Sequence, residues 1–226
     1  MNKDIKYYKI LKPNGIPCHG GSGVYHLPKS EGRKGKWMPK VKDVKCCRYG
    51  YHVCTIDQMT HWLKNGVEIW ECEVRGENDV EKNKSSWEQI RLIKKVSWSD
   101  KKSRLFAADC AEHVLDLFEE KYPNDKRPRE AIQASRDFAN GKISKEQATD
   151  ISISTAGSAM SAMTAWPYSA SADYAAYAAS SSCYGSAHVA ATADYAAAAS
   201  ASNNGRESER KWQGEKLKEY FYEISN

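Results

Sequence analysis

QATDISISTAGSAMSAMTAWPYSASADYAAYAASSSCYGSAHVAATADYAAAASASNN, residues 147–204, is written almost entirely in Ala, Ser, Thr and Tyr. From Ala148 to Asn204 there is no Lys or Arg, and the acids are Asp150, Asp173 and Asp194. Alanine has the highest intrinsic helix propensity, so the stretch predicts helix. It lacks the high charge and the Pro, Gln and Lys richness that keep chains unfolded. It also repeats: Ala172-Asp173-Tyr174-Ala175-Ala176 returns twenty-one residues later as Ala193-Asp194-Tyr195-Ala196-Ala197, and Thr149-Asp150-Ile151 is a looser copy. A period of that length suits a short helix and a turn per unit, stacked in a row. Small side chains let such helices approach to about 8 Å, the close end of the usual range.

Working outward, the flanking residues are helical too. Leu105 to Tyr122 carries Ala107, Cys110, Ala111, Val114, Leu117 and Phe118 on one face at helical spacing, with Glu112, Asp116, Glu119 and Glu120 off it. Pro123-Asn124-Asp125 breaks that helix, Pro128 sits in the first turn of another over Arg129–Asn140, and Gly141 closes it. Ser144-Lys145-Glu146-Gln147 has the form of a capping box that launches the alanine-rich stretch. Pro167, Gly185 and Asn203-Asn204-Gly205 punctuate three further helices. The last, Arg206 to Ile224, offers Trp212, Leu217, Tyr220 and Phe221 as a sealing face with charges outside it.

Upstream the pattern changes to strands. Asp4–Leu11 alternates and ends in the turn Pro13-Asn14-Gly15; Val67–Val74 and Gln89–Trp98 are further strands, the latter with Ile90, Leu92 and Val96 inward. A short helix runs from Thr55 or Asp57 through Met59, Trp62 and Leu63, and Asn78–Ser86 reads as loop. Pro17–Pro39, with Gly20-Gly21-Ser22-Gly23, reads as a surface loop; it lacks the spacing of a phosphate-binding P-loop. The expected fold class is α+β: a small mixed domain over residues 1–100, then an all-α array over 103–226, with the boundary in Ser97–Lys102.

The totals agree with a globular protein, at 41% hydrophobic and 28% charged residues. Charge is uneven: through Lys101 there are 20 basic against 12 acidic residues, and after it 14 against 17. The basic half suits either an anionic partner or an ordinary solvated face. Seven cysteines without a disulfide-framework spacing, an N-terminus without a signal-peptide core, and no apolar run of spanning length predict a reduced, cytoplasmic protein without a membrane contact.

Two sets of residues are candidates for function. In Cys46-Cys47-Arg48-Tyr49-Gly50-Tyr51-His52-Val53-Cys54, a strand puts His52 and Cys54 on one face. Cys46, Cys47, His52 and Cys54 are then zinc candidates, and Arg48, His52 and Cys54 a binding or catalytic cluster; buried reduced thiols are the plainer alternative. In the array, Asp173 and Asp194 with Tyr168, Tyr174, Tyr177 and Tyr195 suggest a recognition face, since tyrosine supplies flat area and a hydroxyl. Helix-capping aspartates and half-buried tyrosines are the alternative. Asp109 and His113 are spaced to pair on one helix. No cofactor is called for, and bare alanine-rich helices suggest self-association.

Asp109-Cys110-Ala111-Glu112-His113-Val114-Leu115 running to Phe118-Glu119, the run Tyr122-Pro123-Asn124-Asp125-Lys126-Arg127-Pro128-Arg129-Glu130-Ala131-Ile132, the alanine-rich array, and Trp212-Gln213 with Leu217 resemble the "putative immunity protein" family of phage and bacterial genomes. In the first half, Cys47, Gly50, His52 and Cys54 are similar to a C-x3-G-x-H-x-C pattern of an uncharacterised phage domain. The family resemblance implies a non-catalytic binding protein of immunity or anti-defence type. Its partner would be a bacterial toxin or defence protein, neutralised directly or by sequestering a nucleotide signal. The alternative is a nucleotide- or dinucleotide-processing enzyme in the first half, with the array as its recognition arm.

Overall fold

The computed structural model describes residues 5–64, 66–164, 170–183, 188–200 and 205–222; the side chains of 159–164, 170–173, 183 and 189–190 lie outside that description. Sheet and helices make the fold α+β, and the chain divides into two compact units, Met1–Trp98 with Lys218–Asn226, and Ser99–Leu217.

The first unit is an antiparallel sheet of β1 (Tyr7–Lys12), β2 (Ile16–Pro17), β3 (Tyr51–Val53), β4 (Glu68–Glu81) and β5 (Lys84–Lys95), in the order β2-β1-β4-β5-β3. A single bridge then closes the ring: Tyr8 and Cys54 exchange backbone hydrogen bonds of 2.8 and 3.1 Å, tying β1 to the end of β3. The enclosed core holds Leu11, Tyr25, Val53, Trp70, Cys72, Val74, Trp87, Ile90 and Leu92. Trp70, Cys72 and Val74 alternate along β4 as a strand face requires. Ile69, on the opposite face, is also fully buried, so this end of β4 is covered on both sides.

Three sequence expectations are corrected here. Asn78–Ser86 is not a loop: β4 and β5 pair down to Glu81 and Lys84, and Lys82-Asn83 makes the hairpin turn. Asn78, Val80, Glu81 and Lys82 are exposed while Ser85 and Ser86 are buried, and the backbone ladder fixes the arm as strand although its sequence is polar. The predicted helix after Thr55 is only a 3-10 turn, Met59–His61, because a segment this short cannot nucleate an α-helix. The glycine-rich loop is a strap in its second part: Gly35, Met38 and Val41 donate backbone bonds to Leu92, Ile90 and Glu88 along β5. A Cβ on Gly35 would stand 2.5 Å from the His26 carbonyl oxygen, so only glycine fits.

The second unit contains α1 (Asp100–His113), α2 (Asp116–Glu119), α3 (Arg127–Ala139), α4 (Lys145–Thr164), α5 (Ala170–Cys183), α6 (Val189–Ala199) and most of α7 (Gly205–Tyr222), whose residues from Lys218 group with the sheet. The Ser99 hydroxyl caps α1 through the Lys102 N–H, and α1 stops at Val114 (φ −115°, ψ 4°), so the single helix expected to Tyr122 is two. Ser144 and Gln147 form the reciprocal capping box of α4, at 2.8 and 3.3 Å.

The alanine-rich helices do not make a simple row. α5 packs against α1, α2, α3, α4 and α6, a bundle around one central helix. Ala178, Ala179, Ser180, Ser181 and Ser182 are five successive buried residues, more than one full turn, so α5 is enclosed on every side there. Serines seal it to its neighbours. The hydroxyls of Ser152 and Ser180 each donate to the other's backbone oxygen, at 2.9 and 3.1 Å, and Ser135 donates to the Ser182 oxygen at 2.8 Å. Among the described residues no helix is long and apolar enough to cross a membrane.

Candidate functional site

In the first unit a cleft of about 500 Å³ opens beside the β1–β3 closure. Among the described residues the seam pairs strand to strand at the isolated Tyr8–Cys54 bridge. Lys9 Nζ spans the gap to the His52 carbonyl oxygen at 2.7 Å, and the Cys18 thiol donates to the Ile10 carbonyl at 3.3 Å. Tyr8, Lys9, Cys18, His19, Gly20, Gly21, Cys47, Arg48, His52, Cys54, Trp62 and Lys84 are among the lining residues. None of the lining residues is Asp or Glu.

Arg48, His52 and Cys54 all face this cleft, but His52 and Cys54 are not poised as base and nucleophile. His52 Nε2 accepts the Cys47 backbone N–H at 2.8 Å, which puts the neutral ring's proton on Nδ1. Burial, with Lys9 and Lys84 nearby, lowers the His52 pKa and favours that neutral form. The Cys54 thiol faces the Tyr8 carbonyl, and burial raises its pKa to about 12. Cys47 is exposed, sits at φ +64°, and its sulfur accepts a bond from Lys84 Nζ at 2.8 Å, which raises the lysine's pKa. Gly50 holds this turn against β5: at φ +104° it lies so close to Ser86 that a Cβ would strike the hydroxyl.

The four zinc candidates do not gather among the described residues. The Cys46 thiol is buried and donates to the Asp79 carbonyl at 3.2 Å, Cys47 faces Lys84 and Cys54 faces Tyr8. Among the described residues no three His, Cys, Asp or Glu side chains gather as metal ligands. Each sulfur instead has its own hydrogen-bond partner, which separates them.

In the second unit Tyr174, Tyr177 and Tyr195 come together. Tyr195 on α6 stacks against both α5 rings, with centroids 6.4 Å from Tyr174 and 5.4 Å from Tyr177 and planes tilted 25° in each case. Tyr174 is 36% exposed, so the cluster reaches the surface. The repeated phrase thus places equivalent tyrosines beside each other on adjacent helices. Asp194 stands in the body of α6, where it pairs with Arg210 of α7 instead of capping a helix. Tyr168 lies outside the described residues, as does the Asp173 side chain.

A model of the family described as "Imm-5 like putative immunity protein" matches residues 98–220, more than half of the chain. The chain belongs to this family. No curated protein and no solved structure shows significant similarity to it. The match does not reach the cysteine and histidine motif of the first unit.

The immunity-family segment uses its most distinctive residues as stitching. Arg136 of α3 binds Asp109 at 2.9 Å and Glu112 at 2.6 Å, both on α1. His113 therefore does not pair with Asp109. Its Nδ1 meets the buried Glu209 carboxylate at 2.7 Å, and its ring stacks on Trp212 at 3.8 Å. Gln213, fully buried, donates to that same carboxylate and to the Ala193 carbonyl, both at 2.9 Å. Asp125 accepts the Arg127 backbone N–H at 3.1 Å at the start of α3 and holds its guanidinium, while Arg129 pairs with Glu119. These residues thus fix helix positions in the helical unit, and the tyrosine cluster lies between them in sequence, within the matched range.

Proposed function

We propose that this immunity-family protein is a non-catalytic binder that neutralises a bacterial toxin or defence effector by covering part of its surface. Membership of the family over the helical unit is the observation that carries this reading. The contact face assigned to it is the stack of Tyr174, Tyr177 and Tyr195, flanked by the Asp194–Arg210 pair. Such a face suits recognition because tyrosines give large contact area at low entropic cost and concentrate binding energy in few residues. An enclosed α5 supports it as a rigid base, so little conformational freedom is lost on binding.

Co-expression with a panel of bacterial toxin domains tests this. The expected result is restored growth against at least one of them and a stable complex of the purified pair. Tyr174→Ala with Tyr195→Ala weakens that complex by about 2 kcal/mol or more, roughly thirtyfold in Kd. Rescue of no toxin in the panel, or a complex indifferent to the double substitution, would overturn the reading.

A further inference from the structure

We propose that the cleft at the β1–β3 seam binds a small phosphorylated ligand of mononucleotide size. The charge pattern is the first reason. Lys9, Arg48 and Lys84 line the cleft from three separate parts of the chain, and the other titratable lining residues are His, Cys and Tyr. Among the described residues Lys84 pairs with Glu81 at 3.4 Å, and Glu81 is not a lining residue. A concave, one-signed site focuses field lines and raises the local concentration of anions.

The donors are also held in place. Lys9 Nζ is tethered to the His52 carbonyl and Lys84 Nζ to the Cys47 sulfur, at 2.7 and 2.8 Å. An ammonium has three donors, so Lys9 keeps two beyond its tether and Lys84, which also pairs with Glu81, keeps one. Gly20 and Gly21, at φ +84° and +91°, bring backbone without side chains to the same wall, and a Cβ on Gly20 would meet nothing within 4 Å. The spacing is not that of a P-loop, so the phosphate would be met chiefly by side chains.

Size and the remaining wall argue for an organic portion. About 500 Å³ exceeds the needs of a bare inorganic anion and falls within the range of small-ligand sites. His19 and Trp62 supply aromatic surface and brace each other, His19 Nε2 donating to the Trp62 carbonyl at 2.8 Å with the rings edge to face. Aromatic surfaces of this kind stack nucleobases. The inference is independent of the immunity reading, because the family match begins at residue 98 and the cleft is built from residues 8–84.

Calorimetry on the full chain tests it with four probes: adenosine monophosphate, adenosine, inorganic phosphate and an oligothymidylate. The nucleotide is expected to bind, phosphate more weakly, and adenosine not measurably, with the affinity falling as salt is raised. Arg48→Gln and Lys84→Gln each weaken nucleotide binding by about tenfold, the worth of one charge-assisted hydrogen bond. Lys29→Gln, at an exposed lysine outside the cleft, leaves binding unchanged, and circular dichroism confirms that each variant is folded. No heat from the nucleotide at millimolar concentration overturns the proposal. So does adenosine binding as well as its phosphate, an oligonucleotide binding more tightly than the mononucleotide, or folded Arg48 and Lys84 variants that bind as the parent does.

Discussion

The interior of the sheet unit is filled by Trp70, Trp87, Ile90 and Leu92, whereas α5 is enclosed on alanines and serines. In the first region large side chains supply the buried apolar area. In the second the side chains contribute little volume, and fit depends on backbones lying close together. The two interiors should therefore fail in opposite ways: the sheet when atoms are removed, the central helix when atoms are added. The two proposed sites divide along the same line. The sheet unit has a concave cationic cleft, and the helical unit has a tyrosine cluster at its surface.

The largest expected effect tests the sheet side. Leu92 is 1% exposed in the main cluster, and Leu92→Ala should destabilise the protein by about 2–5 kcal/mol, through lost transfer energy and an unfilled cavity. Urea unfolding followed by tryptophan fluorescence measures it. The counterpart is Ala179→Leu in α5, where overpacking should cost about 1–3 kcal/mol. If Ala179→Leu is neutral or stabilising, the helices have slack between them and the contrast between the two interiors fails.

Much of this was legible in the residues, and the failures have physical causes. Helix identity and most boundaries in the second unit follow from composition, Pro128, Gly141 and the Ser144–Gln147 box. Bundle geometry did not follow, because alanine has no preferred side: a periodic apolar stripe shows which face is buried, but Ala-Ala-Ser-Ser-Ser does not. The tyrosine pair was readable, since identical phrases on neighbouring helices put identical residues at matching places. The cleft was only half readable. Arg48 and His52 stood in a local motif, but Lys84 joins them through the β3–β5 ladder, beside the Val53–Ser85 pair, and Lys9 through closure of β1 on β3, contacts between distant residues with no local signature. The Asp109–His113 expectation failed because each residue found a partner on another helix.

Bonds from Arg136, Arg129 and Arg127 hold Glu112, Glu119 and Asp125 below their ordinary carboxylate values. A depressed folded-state pKa gives stability that is present above the unfolded value, 4.5 for the two glutamates, and lost as pH falls through the lower folded value. The thermal midpoint should accordingly fall as pH is lowered from about 5 toward 3. Arg136→Gln should lower the midpoint at neutral pH and flatten that slope. A slope unchanged by Arg136→Gln would remove the α1–α3 arginine links from the account.

The smallest effect concerns the serines around α5. Ser152 and Ser180 exchange hydroxyl-to-carbonyl bonds between α4 and α5, and both are buried. Ser152→Ala removes one donor and almost no volume, so it should cost about 1 kcal/mol, the net worth of one hydrogen bond. Ser152→Val also loses the bond but adds bulk where the helices meet, so it should cost the overpacking term as well. The difference between the two substitutions isolates spacing from hydrogen bonding at one position. If valine costs no more than alanine, the serines act only as polar fasteners and close approach is not what holds α4 to α5. If valine costs clearly more, the small side chain is the requirement and the hydroxyl adds to it. The alanine-rich composition of residues 147–204 is then explained by the distance between backbones.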